Sequence, residues 1–82
     1  MNTEQIAKKD EQQMALGKQI RLFRKKKSLS QRQLAKQAGI SLGMLSQIEN
    51  GKTNPSVRSL AQIANGLEIP LDQLFITQST NG

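Results

Sequence analysis

The chain has 82 residues and a net charge of +6, which suffices for one small domain with a single modest core. It contains no Cys and no His, which excludes disulfide scaffolds, thiolate nucleophiles, imidazole catalysis and zinc sites that use these ligands. Its apolar runs are short and its N-terminus has no secretory signal pattern. We therefore expect a cytoplasmic protein that is not an enzyme, with no membrane contact, catalytic residue, cofactor or metal.

Positive charge is concentrated in one part of the chain. No acidic residue occurs from Gln12 through Ile48. Binding a polyanion relieves the self-repulsion of such a stretch, which favours nucleic acid as the partner. Only Phe23 and Phe75 are aromatic, too few to stack the bases of a single strand, so double-stranded DNA is favoured. An anionic membrane surface is the competing partner, but the few apolar residues are needed in the core. The basic residues in this stretch are Lys18, Arg21, Arg24, Lys25, Lys26, Lys27, Arg32 and Lys36.

The N-terminal part of the chain contains an arm and a first helix. Residues 1–13 have nearly balanced charges and few apolar side chains, which is typical of a flexible or partly helical arm. Leu16, Ile20 and Phe23 then recur at helical spacing, so a helix is predicted over 14–27.

A second, short helix has complete signals at both ends. Ser30 is suited to the N-cap position, and Gln33 three residues later completes a capping box. Leu29 and Leu34 form a hydrophobic staple across this start. Gly39 ends the helix, because glycine adopts the left-handed conformation without a Cβ penalty.

A third helix is predicted over 42–50, with Ser41 as its N-cap. Leu45 and Ile48 lie on one side, and the opposite side is polar and uncharged. Two short helices joined by so tight a turn cannot lie antiparallel, so their axes must cross at a steep angle. Ala35 is the small residue that lets the two helix backbones approach at this crossing. Residues 30–50 therefore form a predicted helix-turn-helix, whose second helix fits the DNA major groove. A helical hairpin without function has the same caps and hydrophobic staple, but it does not need small uncharged polar residues beside a cationic flank.

Four segments in order, "LGKQIRLFR", "LSQRQLAKQAGIS", "LSQIENGKTNPS" and "LAQIANGLEIPLDQLF", resemble the Xre family over residues 16–75. This is the DNA-binding fold shared by phage repressors and Cro proteins. The last two segments are also similar to the N-terminal domain of Xre regulators that carry a cupin domain. The chain contains no cupin, which leaves two alternatives open. The chain is either an excised domain that lacks its C-terminal effector domain or a stand-alone regulator.

The resemblance implies an all-α, compact five-helix domain over 14–76, with further helices at 56–66 and 71–75 and a polar tail at 77–82. Residue types agree, since Pro55 and Pro70 stand near the helix starts and Gly66 near the end of the fourth helix. An apolar stripe on the fourth helix consists of Val57, Leu60, Ile63, Ala64 and Leu67. The expected core comprises Leu16, Ile20, Phe23, Leu34, Ala35, Ala38, Leu45, Ile48, Leu60, Ile63, Ala64, Leu67, Leu71 and Leu74.

Base contacts are expected from the exposed side of the third helix. Gln47 can make two hydrogen bonds to an adenine edge, and Leu42 can contact a thymine methyl group. Gly43 has no side chain to contribute, so DNA shape compensates there. The predicted base-contacting residues are Ser41, Leu42, Gly43, Ser46 and Gln47, although N-capping alone also explains Ser41.

Phosphate contacts are expected at the start of the second helix and after the third, because amides and helix N-termini fix the register on the DNA backbone. The resemblance also implies that Arg24 and Glu49 form a structural pair joining the first helix to the third. The predicted phosphate-contacting residues are Gln31, Arg32, Asn50, Lys52, Thr53 and Asn54.

One such domain contacts too few base pairs to select a genomic site, so a homodimer on a pseudo-palindromic operator is expected. Ile69, Phe75 and Ile76 are candidate dimer contacts, and core packing is the other explanation for them. These inferences predict a transcriptional regulator, with a repressor favoured because occupying an operator needs no further contact. The alternative is an antitoxin or protein-interaction module that also binds DNA.

Overall fold

The structure, a computed structural model, describes the backbone of residues 3–79 and the side chains of residues 11–75. This part of the chain contains helices and no strand, which confirms the all-α class. The helices are α1 (Thr3–Lys26), α2 (Gln31–Ala38), α3 (Leu42–Glu49) and α4 (Val57–Leu67), followed by a 3₁₀ helix (Leu71–Ser79). No helix in the described range is long and apolar enough to cross a membrane.

Serine side chains begin three of these helices. The hydroxyls of Ser30, Ser41 and Ser56 each accept a hydrogen bond, at 3.0 Å, from the backbone N–H three residues later. At α2 the capping box is complete, because the Gln33 side chain accepts the Ser30 N–H at 2.8 Å. These caps satisfy N–H groups that have no partner within the helix.

The two ends of the chain differ from the predicted helices. The backbone is already helical from Thr3, so α1 includes most of the predicted arm, while the side chains of residues 1–10 lie outside the described residues. The fifth helix, predicted over 71–75, is a 3₁₀ helix that extends to Ser79. The Gln73 N–H donates to the Pro70 carbonyl at 3.1 Å, three residues back, which is the 3₁₀ pattern. The side chains of 76–82, including Ile76 and the predicted tail, are also outside the described residues.

The core lies where α2 packs on α3 and α4, while α1 packs on α3 and the 3₁₀ helix. Three predicted core residues, Leu16, Phe23 and Leu71, are only partly buried and pack against the edge of the core. Val57 was predicted on the apolar stripe but is 73% exposed, because it is the first residue of α4 and extends past the core. The buried apolar residues are Ile20, Leu34, Ala35, Ala38, Leu45, Ile48, Leu60, Ile63, Ala64, Leu67 and Leu74.

Gly66 lies near the end of α4, as predicted, and it also has a role in packing that was not predicted. The fourth helix continues past it to Leu67 and ends at Glu68, which adopts a left-handed conformation with φ of 61°. A Cβ on Gly66 would lie 3.0 Å from the Ala38 nitrogen and 3.1 Å from Leu34 Cδ1. Gly66 therefore lets α2 and α4 approach closely.

Candidate nucleic-acid interface

The turn between α2 and α3 is short and held by backbone hydrogen bonds. Gly39 adopts the left-handed conformation with φ of 74°, as its position predicts. The next N–H, that of Ile40, donates to the Ala35 carbonyl at 3.0 Å, which closes the end of α2. Ser41 follows at once as the N-cap of α3, so three residues separate the two helices.

Helix α3 has one buried side and one exposed side. Leu45, Ile48 and Glu49 are buried, and they fix the helix against the rest of the domain. At Gly43, no atom other than those of its two chain neighbours and of the backbone of α3 lies within 4 Å of the position that a Cβ would occupy. The structure thus places all of the predicted base-contacting residues away from the core: Ser41, Leu42, Gly43 and Gln47 are exposed and Ser46 is partly exposed.

Met44 is a residue on α3 that sequence reasoning missed. Its side chain is exposed, and the Ser59 hydroxyl lies 4.0 Å from its sulfur atom. Met44 therefore lies where α3 meets the start of α4. The signal available in the sequence was that Met44 is an apolar residue outside the buried stripe formed by Leu45 and Ile48.

The Glu49 carboxylate joins three helices. The structure brings Arg24 and Glu49 together, with Arg24 Nε 2.7 Å from Oε2 and Arg24 Nη2 3.1 Å from Oε1. Gln31 Nε2 donates to Oε1 at 2.9 Å, which adds the first residue of α2 to the pair. Arg24 Nη1 also donates to the Leu29 carbonyl at 2.9 Å, so the segment between α1 and α2 is fixed as well.

Glu49 is charged in this environment although its side chain is fully buried. Burial raises the pKa of the carboxyl group, but hydrogen bonds from Arg24, Gln31 and Arg21, together with the charge of Arg24, outweigh burial and hold the pKa below its usual value. The buried carboxylate is therefore compensated by its neighbours, as a buried charge must be.

The predicted phosphate-contacting residues lie at two places on the surface. Gln31 is half-buried because its amide also bonds Glu49, whereas Arg32 on the same helix is exposed. After α3, Thr53 is partly exposed, and Asn50, Lys52 and Asn54 are exposed. No group of three His, Cys, Asp or Glu residues that could hold a metal ion occurs among the residues the structure describes.

Arg21 and Gly17 are two further residues that the sequence did not single out. Arg21 Nη2 donates to the Asn50 side-chain oxygen at 3.0 Å, and its Nε lies 3.4 Å from Glu49 Oε1. Its position one turn before Arg24 on the same side of α1 was the available signal. A Cβ on Gly17 would lie 2.5 Å from the carbonyl oxygens of Ile48 and Glu49, so this glycine sets the distance between α1 and α3.

A protein-family model described as helix-turn-helix (HTH_3) matches residues 20–74, well over half of the chain. The chain belongs to this helix-turn-helix family. A helix-turn-helix relative, the HTH-type transcriptional regulator SlrR of Bacillus subtilis, is 48% identical over 61 residues, covering 73% of this chain and 40% of SlrR. The ImmF control region 10 kDa protein of Bacillus phage phi105 is 41% identical over 63 residues, covering 77% of this chain and 70% of that protein. The chain thus spans about two fifths of the length of SlrR and about seven tenths of the length of the phage protein.

Solved structures of helix-turn-helix proteins have the same fold. The restriction-modification controller protein C.AhdI from Aeromonas hydrophila has a TM-score of 0.74 and 31% identity, covering 76% of this chain and 94% of that chain. An HTH_3 family transcriptional regulator from Vibrio cholerae has a TM-score of 0.82 and 30% identity, covering 89% of this chain and 41% of that chain. The predicted resemblance to phage repressor-like proteins is confirmed by these matches.

Proposed function

We propose that this chain is a sequence-specific, double-stranded DNA-binding domain of a transcriptional regulator, and that α3 contacts the bases of its operator. A repressor acting in the cytoplasm, with no catalytic role, is the form of regulation we favour. The observation that carries the proposal is the exposed, uncharged side of α3, which lies opposite Leu45 and Ile48 and ends at Asn50, the residue that Arg21 contacts. The family membership and the names of the relatives support it.

Gln47 is the residue we assign to base discrimination. It is exposed in the second turn of α3, and its side-chain amide can donate one hydrogen bond to an adenine edge and accept another. A contact of this kind contributes about 1–3 kcal/mol of discrimination against the wrong base. The phosphate contacts we assign to Gln31, Arg32, Asn50 and the following loop position α3 without selecting a sequence.

Selection from a random duplex pool at near-physiological salt tests the proposal. We expect enrichment of paired half-sites with centres about ten base pairs apart. Gln47→Ala is expected to lose the preference at one position of each half-site. Asn65→Ala removes an exposed side-chain amide from the last turn of α4, where no DNA or dimer contact is assigned; it serves as the matched control and should keep the wild-type preference. Retention without any enriched sequence contradicts the proposed function.

We further propose a homodimer on DNA. Phe75 is 44% exposed at the 3₁₀ helix, which makes it a candidate contact, whereas Ile69 is partly buried and packs against the core. A groove of about 440 Å³ beside Phe75 is lined in part by Leu16, Leu60 and Leu74. Light scattering of the DNA complex should give two chains per operator, and Phe75→Gln should weaken this assembly. One chain per operator contradicts the homodimer.

A further inference from the structure

A small notch lies where α1 meets the end of α3. Its volume is about 120 Å³, and it is lined by Met14, Lys18, Arg21, Glu49 and Asn50. We propose that this notch holds a backbone phosphate of the bound DNA, with Lys18 and Arg21 as its ligands. The inference rests on the proposed function and extends the DNA contact to α1, which the predicted phosphate-contacting residues do not include.

Arg21 is already oriented for such a contact. Its Nε lies 3.4 Å from Glu49 Oε1 and its Nη2 donates to Asn50 Oδ1 at 3.0 Å, so the guanidinium group is held at both ends. The side chain nevertheless remains 40% exposed. A guanidinium group has five N–H donors, so donors remain for a phosphate oxygen after these two contacts. Orientation before binding reduces the entropy that the contact costs.

Lys18 supplies the second positive charge. It lies three residues before Arg21, so the two side chains are neighbours on one side of α1. Lys18 is exposed, and the ion pairs among the described residues join Arg21 and Arg24, but not Lys18, to Glu49. Its charge is thus available to a phosphate group.

Glu49 also lines the notch, and a carboxylate repels phosphate. However, its side chain is fully buried, and both of its oxygens accept hydrogen bonds from Arg24, at 2.7 and 3.1 Å. With Arg24 compensating Glu49, Lys18 and Arg21 leave the notch with an excess of positive charge. Asn50, a predicted phosphate contact, connects the notch to the edge of α3.

The salt dependence of DNA binding tests the notch. Binding of the full chain to its selected operator, and to a scrambled duplex of equal length, is measured by fluorescence anisotropy across a salt series. Lys18→Gln should reduce the slope of log affinity against log salt by about 0.9 on both duplexes, the amount for one lost phosphate contact. When the salt concentration rises fourfold, the factor by which the variant loses affinity should therefore be about 3.5 times smaller than the factor for the wild type. The preference for operator over scrambled duplex should not change.

Two further variants complete the test. Arg21→Gln should show the same loss of slope, with circular dichroism confirming that it folds. Arg58→Gln makes the same charge change at an exposed residue of α4 that lies outside the acid-free stretch and does not line the notch, and it should keep the wild-type slope. If folded Lys18→Gln has the same salt-dependence slope as the wild type, and the wild type still prefers its operator, the phosphate site in the notch is refuted and the proposed function stands. A wild type without DNA binding overturns both.

Discussion

Replacing Gly17 by alanine tests whether the close approach of α1 and α3 is required by the fold. The added Cβ would lie 2.5 Å from the carbonyl oxygens of Ile48 and Glu49 and 2.8 Å from the Glu49 carbonyl carbon. Ordinary contacts between nonbonded heavy atoms are about 3.5 Å or longer, so the helices must separate by roughly 1 Å. Because these are helix backbone atoms, no side-chain rotation relieves the overlap.

The expected cost follows from two opposing effects. Overpacking a close contact costs about 1–3 kcal/mol and occasionally more, while alanine gains up to about 1 kcal/mol of helix propensity over glycine. For an overlap this severe we expect a net loss of about 2 kcal/mol. In a domain of this size, that corresponds to a fall of about 8–16 °C in Tm.

Gly43→Ala provides a matched control, because it is also a glycine-to-alanine change within a helix. Apart from its two chain neighbours and the backbone of its own helix, no atom lies within 4 Å of the position of its added Cβ, so only the propensity gain of up to about 1 kcal/mol applies. Thermal and urea unfolding followed by circular dichroism measure both variants. The reasoning is refuted if Gly17→Ala is as stable as the wild type, or if both variants shift stability in the same direction.

Three further predictions concern single residues. The pKa of Glu49 is lowered in the folded state, so the stability that its charge contributes is present above the usual carboxyl pKa and is lost as the pH falls through the folded-state pKa. Urea unfolding across acidic pH should show this loss of stability in the wild type. The Glu49→Gln variant should be less stable, and its stability should depend less on pH. Ser30→Ala should lower the free energy of unfolding by about 1 kcal/mol, because the capping box is lost; an unchanged urea midpoint contradicts this. Glu68→Gly should raise the free energy of unfolding by up to about 1 kcal/mol, since a non-glycine residue there has φ of 61°; a lower urea midpoint would show that the strain is absent.

Local signals in the sequence predicted the helix-turn-helix correctly. Ser30, Gln33 and Gly39 act within three or four residues of themselves, so their capping roles are set by neighbours that the sequence displays directly. The buried stripe of Leu45 and Ile48 likewise follows from helical periodicity. The arrangement that exposes the other side of α3 was therefore predictable.

Contacts between distant residues were the part that the sequence did not show. Gly17 meets the end of α3, about thirty residues away, and nothing near it in the chain distinguishes it from an ordinary helical glycine. Gly66 lies near the end of the fourth helix, as predicted, but its close approach to Ala38 was not predicted. The bond from Arg21 to Asn50 depends equally on how α1 and α3 pack.

The division of α3 into a buried and an exposed side has a consequence for how such a domain acquires new targets. Leu45, Ile48 and Glu49 hold the helix in place, whereas positions 42, 43, 46 and 47 make no contribution to the buried core. Under the proposed function, mutations at the exposed positions are therefore expected to alter the preferred operator while the core keeps the domain folded. The same proposal predicts that two copies of this domain, after gene duplication, diverge in target while keeping one scaffold. A laboratory library at the same positions should retarget the domain by the same route.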